Sequence, residues 1–389
     1  MWLWVLILSF ALRGNAPLES GVEEQLQACL ARSLVEAGQA GARFHQENRN
    51  EWLPHLILSR WNIKKIAGLA EVPEALEGVH PVLVQTLAGH AGVVFSESGG
   101  RDAALLALAA REPAGTAAVL GMGRGFDIPL AELALRYRKV VLVDLDEPNL
   151  WAAIEDLRRE LDRLGLPAEK LASVLGRVEI QLADLSGIGD RLGRFVVPHS
   201  RPEAVREGLL FLDRQASDPQ LRSWPLRVAG TYDLVVSSFV VSQISSEIVR
   251  SVEDLIAGKF GPLTQGEWAQ FQQALQRLSK AAAENHAGHI AALLAPGGKA
   301  YFSSESTLLW PDQNVQAPLF PINDLLETAR GTHHLSVTPA GQWLWMQRMN
   351  GIFYPGAGYW VEAYQISRGG LEEMIGVGRE SALFLDSGA

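Results

Sequence analysis

Residues 119–127 read VLGMGRGFD, the end of an apolar run followed by three glycines at alternating positions. Glycine permits a tight turn and lets a ligand approach the backbone closely. A helix beginning after such a loop would present its N-terminus to a negatively charged group. The stretch therefore predicts a strand, a ligand-binding turn and a helix, although a glycine triplet taken alone is equally compatible with a plain turn.

Short apolar runs continue outward from this stretch and alternate with amphipathic helices. Continuous rather than alternating apolar character is typical of parallel strands covered by helices on both faces. The order of strands and helices implies right-handed crossovers. We therefore predict an α/β fold with a doubly wound, mostly parallel seven-stranded sheet. Five of the strands are predicted to begin near Ala117, Lys139, Arg177, Tyr232 and Gly298.

The last part of the chain has a different strand pattern. Residues 342–347 and 359–366 are rich in aromatic and β-branched side chains and flank the turn-rich segment 354–358, which reads YPGAG. This pattern predicts an antiparallel pair of strands joined at that segment. The pair would close one edge of the sheet and supply its antiparallel edge strand.

The chain divides into two predicted regions. Residues 1–110 form an N-terminal helical region that could act as a lid or cap, and residues 111–389 form the Rossmann-like domain. Two connections within that domain are long, at 185–231 and 245–291, and are predicted to be helical insertions. In the second, Thr264 and Glu267 predict a capping box at the start of a helix. Connections of this length usually have a function, such as covering or shaping a binding site.

Two carboxylates follow predicted strands at the edge where the glycine loop lies. Asp144 ends the second strand, 23 residues after Gly121, and Asp184 ends the third. In dinucleotide-binding folds a carboxylate about 20 residues beyond the loop binds ribose hydroxyls. The dinucleotide motif G-x-G-x-x-G is not met, however, because position 126 is Phe126. A nicotinamide oxidoreductase is therefore disfavoured.

The loop G-x-G-x-G, the two acidic strand ends, the strand YDLVV at 232–236 and the turn LAPGGK at 294–299 follow one another in a recognisable order. In this order the chain resembles the class I S-adenosylmethionine-dependent methyltransferases. The resemblance covers about residues 110–368 and indicates no specific subfamily. It implies S-adenosyl-L-methionine as cofactor and methyl transfer as activity.

The resemblance also assigns roles to residues of this chain. Asp144 would hold the ribose and Asp184 the adenine amine, and Ser237, after the fourth strand, would also contact the cofactor. The methionine moiety would be bordered by Gly121, Gly123 and Gly125.

One position departs from the family pattern. Many members carry an acidic residue two positions before the first glycine, where this chain has Val119. Asp127 would then bind the amino-acid end of the cofactor in place of that residue. The alternative is that Asp127 caps the helix that begins near Pro129.

Methyl transfer from a sulfonium requires alignment of the reacting groups rather than covalent machinery. A small-molecule or peptide acceptor is expected, and any general base should follow the fourth or fifth strand or lie nearby. The candidates are Ser238, Glu305 and His334. Two alternatives stay open: a non-catalytic nucleotide-binding or scaffold protein with this fold, and an aminopropyltransferase.

The amino-acid composition limits the classes of partner that we expect. The chain has 389 residues, 44 of them acidic and 34 basic, with no long basic block, so neither nucleic acid nor membrane is an expected partner. Cys29 is the only cysteine, which excludes a disulfide framework within the chain and favours the reducing cytoplasm. His286 and His289 could share a helix face, but no third ligand is apparent, so no metal is predicted. Residues 1–12 are apolar but shorter than the roughly 20 residues of a membrane span; they could be a targeting segment, a buried helix or a mis-assigned start.

Overall fold

A computed structural model gives the fold of the chain. Residues 1–12, among others, lie outside the part that the structure describes, so their interpretation stays open. The described residues are 49–75, 93–218, 228–310, 315–318, 322–349 and 352–369.

Ten helices and ten strands are assigned within these ranges. The helices are α1 (Arg49–Ile66), α2 (Ser98–Ala109), α3 (Leu130–Arg136), α4 (Glu147–Arg163), α5 (Ala168–Leu175), α6 (Gly189–Leu192), α7 (Arg201–Ser217), α8 (Val240–Phe260), α9 (Gln265–Leu293) and α10 (Ile322–Gly331). The strands are β1 (Glu74–Ala75), β2 (Phe95–Ser96), β3 (Thr116–Leu120), β4 (Lys139–Asp144), β5 (Val178–Leu182), β6 (Tyr232–Ser238), β7 (Leu294–Trp310), β8 (Val315–Pro318), β9 (Ser336–Met349) and β10 (Ile352–Ser367).

Seven strands form the main path of the sheet, in the order β5-β4-β3-β6-β7-β10-β9, and β8 pairs with β7 off this path. The first five strands of this path, β5 to β7, are parallel to one another, whereas β10 is antiparallel to both β7 and β9. The predicted fold class is therefore confirmed. The strand order reverses direction between β3 and β6, and ligands of open α/β sheets bind outside the carboxyl ends of the strands at such a switch point.

The apolar run of β3 shows why the predicted strands lack alternation. Ala117 and Val119 belong to one hydrophobic core, and Ala118 and Leu120 belong to another on the opposite face. Both faces are covered by helices, so every position of the strand from Ala117 to Leu120 is buried. The first core includes side chains of α4 such as Leu157, and the second includes side chains of α9.

The antiparallel pair near the C-terminus is present, but the predicted turn is wrong. Strands β9 and β10 leave only residues 350 and 351 between them, and residues 354–358 lie within β10. The pairing of the two strands shifts between Phe353 and Gly358. Pro355 has no N–H to donate, and a ladder commonly accommodates proline at such an irregularity. The turn-forming residues therefore mark a break in strand pairing rather than the reversal of the chain.

Helix α1 is part of the main core. Ile57, Trp61 and Ile63 are buried in the same cluster as Val119. The domain boundary near residue 110 stays a prediction, as does a lid role for the N-terminal region. No helix within the described ranges is long and apolar enough to cross a bilayer.

The two predicted insertions contain helices that pack on each other. The first holds α6 and α7, and the second holds the end of α8 and most of α9. Leu212, Val252 and Phe271 are buried in a hydrophobic cluster separate from the two that cover the sheet. The capping box predicted at Thr264 and Glu267 is confirmed at the start of α9.

Candidate functional site

The three glycines lie in the turn that leads from β3 into α3. Their φ angles are 63° at Gly121, 49° at Gly123 and 63° at Gly125, a left-handed conformation that other residues rarely adopt. The N–H of Gly121 donates to the carbonyl oxygen of Val143 at 2.8 Å, which fixes the start of the turn to the neighbouring strand β4. The sequence-predicted loop therefore has the expected backbone conformation.

The surroundings of the three glycines differ. A Cβ at Gly121 would lie 2.6 Å from Cγ2 of Val240, and one at Gly125 would lie 1.9 Å from Cε of Met122. A Cβ at Gly123 would meet nothing within 4 Å. Packing against Val240 thus requires glycine at position 121, and a side chain at position 125 would displace the end of Met122, whereas Gly123 faces open space beside the sheet edge.

Asp144 faces this loop. The N–H of Gly123 donates to Oδ2 of Asp144 at 2.8 Å, and the N–H groups of Leu145 and Asp146 donate to Oδ1 at 2.7 and 3.0 Å. The carboxylate is only partly buried. Three backbone donors therefore hold a negatively charged group beside the open side of the loop.

Asp146, two residues further on, has a structural role. Its side chain accepts the N–H of Asn149 and caps α4. Burial, with a contribution from the charge of Asp144, raises the pKa of Asp146 to about 6. Asp144 thus contacts the glycine loop, whereas Asp146 caps α4.

Asp184 follows β5 at the same edge of the sheet. Its Oδ1 accepts the N–H groups of Ser186 and Gly187 at 2.8 and 3.0 Å, and the hydroxyl of Ser186. The side chain is partly buried. The turn after β5 therefore fixes this carboxylate on the carboxyl edge of the sheet.

A group of buried hydroxyls lies at the end of β6 and beside it in the middle of β7. Oγ of Ser238 is 3.2 Å from Oγ of Ser59 and 3.2 Å from Oγ of Ser303. Oγ of Ser59 is also 3.1 Å from the hydroxyl oxygen of Tyr301. We call these four residues the hydroxyl cluster. One of its members, Ser59, comes from α1, outside the part of the chain that carries the family resemblance.

Asp127 connects the glycine loop to the hydroxyl cluster. Its side chain is hydrogen-bonded to Ser238. Burial raises the pKa of Asp127, and the hydrogen bond of Ser238 and the charge of Arg60 oppose that rise. The cap of α3 is Pro129, without a side-chain hydrogen bond, so the alternative role of Asp127 as a helix cap is wrong.

An aromatic contact covers the end of β6 from the side of α1. The ring of His55 lies 4.6 Å from that of Phe239, and Nε1–H of Trp343 donates to Nδ1 of His55 at 3.0 Å. Burial lowers the pKa of His55 to about 3. Phe239 has a φ of 58°, which is rare for a side chain of this size, and such strained residues cluster at functional sites.

Ser237 lies next to Ser238 but faces the opposite side of the strand. Its side chain is fully buried, and its Oγ is 2.7 Å from Nε2 of His286. Burial, with the charge of neighbouring His289, lowers the pKa of His286 to about 3. The hydroxyl of Ser237 is thus engaged in the core, and the structure does not bring it to the glycine loop.

The remaining catalytic candidates lie apart from each other. Glu305 is partly buried in β7, two residues beyond Ser303, and pairs with Val361 of β10. His334 is exposed and precedes β9. The first residue of β9, Ser336, pairs with Ser367 of β10, which pairs in turn with Lys299 near the start of β7. That is the amino edge of the sheet, so the proposal of His334 as the base is wrong. Within the described ranges, no group of three or more potential ligands could hold a metal ion.

Sequence reasoning missed the residues that α1 contributes. His55 and Ser59 are four positions apart and therefore share one face of α1. Ser238 and Ser303 are paired in adjacent parallel strands. Serines that follow apolar runs in two neighbouring strands could have indicated half of the hydroxyl cluster. No local pattern in the sequence indicated that α1 contributes to it.

The structure combines three features. They are the predicted strand order, a left-handed glycine loop at the switch point and a carboxylate held against that loop. This doubly wound sheet is consistent with the class I methyltransferase fold that the sequence resemblance implied. The antiparallel strand β10, between β7 and β9, agrees with the final antiparallel pair that the resemblance implied.

Comparison with known proteins gives no family for the chain. No family model and no curated protein matches the chain. An O-methyltransferase family protein from Burkholderia thailandensis is 15% identical over 70% of this chain and 61% of its own, with a TM-score of 0.30. The chain thus spans less than two thirds of that protein.

Two further solved structures have similar scores. Precorrin-6y C5,15-methyltransferase from Geobacter metallireducens is 8% identical over 70% of this chain and 90% of its own, with a TM-score of 0.27. The glycopeptide N-methyltransferase MtfA is 13% identical over 66% of this chain and 89% of its own, with a TM-score of 0.28. These low scores identify no acceptor for this methyltransferase fold.

Proposed function

We propose that the protein transfers the methyl group of S-adenosyl-L-methionine to a small-molecule or peptide acceptor. The observation that carries this proposal is the carboxylate of Asp144, held by the N–H of Gly123 at 2.8 Å beside the open side of the glycine loop. A fixed carboxylate at a switch point is suited to binding the hydroxyls of a ribose.

The residues present fit this cofactor. A carboxylate offers about four acceptor positions, and three backbone donors leave Asp144 with capacity for a ribose hydroxyl. The open space at Gly123 allows the ligand to approach the backbone. Asp184 would accept a hydrogen bond from the adenine amine, and Asp127 would bind the ammonium of the methionine moiety.

When bound, S-adenosyl-L-methionine supplies an electrophilic methyl group on a sulfonium centre. The residues of this chain would hold the two reactants in line and exclude water, because the displacement needs no covalent intermediate with the protein. We place the acceptor at the end of β6 and beside it on β7, under the contact between His55 and Phe239. Ser238, hydrogen-bonded to Asp127, is the catalytic candidate nearest to the loop.

The acidic composition supports a partner other than nucleic acid. We place the reaction in the cytoplasm, since a chain with a single cysteine needs no oxidising compartment.

The proposal is tested by calorimetric titration of the full-length protein with S-adenosylhomocysteine, the stable product of methyl transfer. Wild type should bind, and Asp144→Asn should weaken binding about tenfold to a hundredfold. This range follows from the roughly 1.5–3 kcal/mol of a hydrogen bond to a charged group. Asparagine retains a carbonyl oxygen for the backbone donors, which limits damage to the turn.

Asp162→Asn is the matched control, because Asp162 is an exposed carboxylate on α4 that pairs with Arg158. Its affinity should equal that of wild type. If wild type does not bind S-adenosylhomocysteine, or if Asp144→Asn binds it equally well, the proposed function is wrong. If wild type binds but no acceptor is turned over from a metabolite and peptide library, the scaffold alternative is favoured.

A further inference from the structure

Helix α1 brings a positive charge to the glycine loop as well as a hydroxyl. Arg60 follows Ser59, whose Oγ is 3.2 Å from that of Ser238, so this turn of α1 lies against the end of β6. Nη2 of Arg60 is 3.5 Å from Oε1 of Glu132, which lies in the first turn of α3 directly after the loop. The guanidinium therefore extends from α1 toward the end of the glycine loop.

The carboxylates beside Arg60 already have closer partners. Nη2 of Arg101 is 2.9 Å from Oε1 of Glu132, and Lys64 forms a closer ion pair with Glu74 than Arg60 does. Nε of Arg60 is 3.6 Å from Oε2 of Glu74, beyond hydrogen-bond distance. Arg101 also pairs with Glu160, so the charge of Arg60 completes a balance of three cations and three carboxylates. Its contacts with Glu132 and Glu74, at 3.5 and 3.6 Å, are nevertheless the longest in the cluster.

Arg60 is also the most accessible cation of this group. Its side chain is 22% exposed, compared with 7% for Arg101 and none for Lys64. Its buried Nε has no hydrogen-bond partner. A guanidinium has five N–H donors, and an arginine with free donors and partial exposure is suited to binding a carboxylate in a bidentate manner.

Arg60 and Asp127 form a pair of opposite charges at one end of the loop. The charge of Arg60 acts on Asp127, whose side chain is hydrogen-bonded to Ser238 beside Ser59. The two side chains do not form an ion pair in the structure, since the hydrogen bond of Asp127 is to the serine and the ion contacts of Arg60 are to the two glutamates. An amino acid in its zwitterionic form presents the complementary pair of charges.

We propose that Arg60 binds the α-carboxylate of the cofactor's methionine moiety while Asp127 binds its ammonium group. This inference rests on the proposed function and adds a residue from outside the part of the chain that resembles the family. Arg60 thereby makes α1 part of the cofactor site. It also makes the site selective for ligands that retain the carboxylate.

Three ligands that share adenine and ribose test this assignment in calorimetric titrations of the full-length protein. S-adenosylhomocysteine has both tail charges, its decarboxylated analogue with an aminopropyl tail has only the ammonium, and 5′-methylthioadenosine has neither. Arg60→Gln should weaken binding of S-adenosylhomocysteine about tenfold to a hundredfold. It should leave the affinities for the other two ligands unchanged.

Asp127→Asn should weaken binding of both S-adenosylhomocysteine and the aminopropyl analogue, but not of 5′-methylthioadenosine. Arg60→Lys should recover part of the loss, because lysine keeps the charge without the planar pair of donors. Arg111→Gln is the matched control, since Arg111 is an exposed arginine paired with Glu71. Its affinities should equal those of wild type.

The outcomes separate this inference from the function on which it depends. If wild type binds none of the three ligands, the proposed function fails. If wild type binds them and Arg60→Gln weakens all three equally, or none, the inference is wrong and the proposed function stands. Only a loss confined to the ligand with a carboxylate supports the assignment of Arg60.

Discussion

Two buried neutral histidines should make the protein sensitive to mild acid. Burial lowers the pKa of His55 and of His286 from 6.5 to about 3. A lowered histidine pKa contributes stability that is fully present above pH 6.5 and is lost as the pH falls toward 3. Between pH 7 and pH 5 each histidine should therefore reduce the free energy of unfolding by about 2 kcal/mol, at about 1.4 kcal/mol per pH unit.

The assay is urea unfolding at pH 7 and pH 5, followed by tryptophan fluorescence. Wild type should lose about 4 kcal/mol from the two histidines together. In His286→Gln the loss should shrink by about 2 kcal/mol, because glutamine does not titrate in this range. Its amide can still bond to the hydroxyl of Ser237, so the variant should remain folded at pH 7.

The matched control is His199→Gln, since His199 is exposed. This variant should lose the same free energy as wild type between the two pH values. An equal loss of unfolding free energy in wild type and His286→Gln would refute the reasoning, because it would mean that His286 is not kept neutral in the folded protein.

Gly123→Ala adds a methyl group where nothing in the protein lies within 4 Å. Urea unfolding should therefore show a loss of stability of only about 1–2 kcal/mol, from backbone strain. Calorimetric titration of the same variant should show loss of S-adenosylhomocysteine binding. Wild-type affinity in this variant would contradict the placement of the ligand. Gly121→Ala places its Cβ 2.6 Å from Cγ2 of Val240, a buried and stiff β-branched side chain, so we expect a larger loss of stability than for Gly123→Ala. Equal unfolding midpoints would oppose this expectation. Glu132→Gln removes a negative charge that pairs with the buried guanidinium of Arg101. The free energy of unfolding should fall by about 3–5 kcal/mol in the same assay. A fall below about 1 kcal/mol would indicate that the charged groups around Arg101 rearrange.

Short-range patterns in the sequence predicted the elements that depend on neighbouring residues. The glycine loop from Gly121 to Gly125, the strand ending in Asp144 and the capping box at Thr264 all require only a few adjacent positions. The alternation of strands and helices then fixed the sheet class, because parallel strands need crossover helices. These features were accessible without knowing any distant contact.

Contacts between distant positions were not predictable in the same way. Ser59 and Tyr301 are 242 positions apart, and Ser237 and His286 are 49 apart. Each pairing depends on which face of a helix packs against which strand, and the spacing of residues along either element does not contain that information.

The wrong assignments have a common origin. The sequence places His334 just before a strand, but it does not show that the order of β9 and β10 puts this residue at the edge of the sheet opposite the glycine loop. The turn predicted at 354–358 failed because proline and glycine mark irregular strand pairing as well as chain reversal. Both errors concern the direction and register of strands, which tertiary pairing decides.

The hydroxyl cluster has a property that a set of charged groups would lack. At each of its contacts, between Ser59 and Ser238, between Ser238 and Ser303, and between Ser59 and Tyr301, either oxygen can be the donor. Ser238 has only one hydrogen, however, and its hydrogen bond to Asp127 uses that hydrogen while the carboxylate is ionised. Ser59 and Ser303 then donate to Ser238, and Tyr301 donates to Ser59, so the ionisation of Asp127 sets the direction of every hydrogen in the cluster.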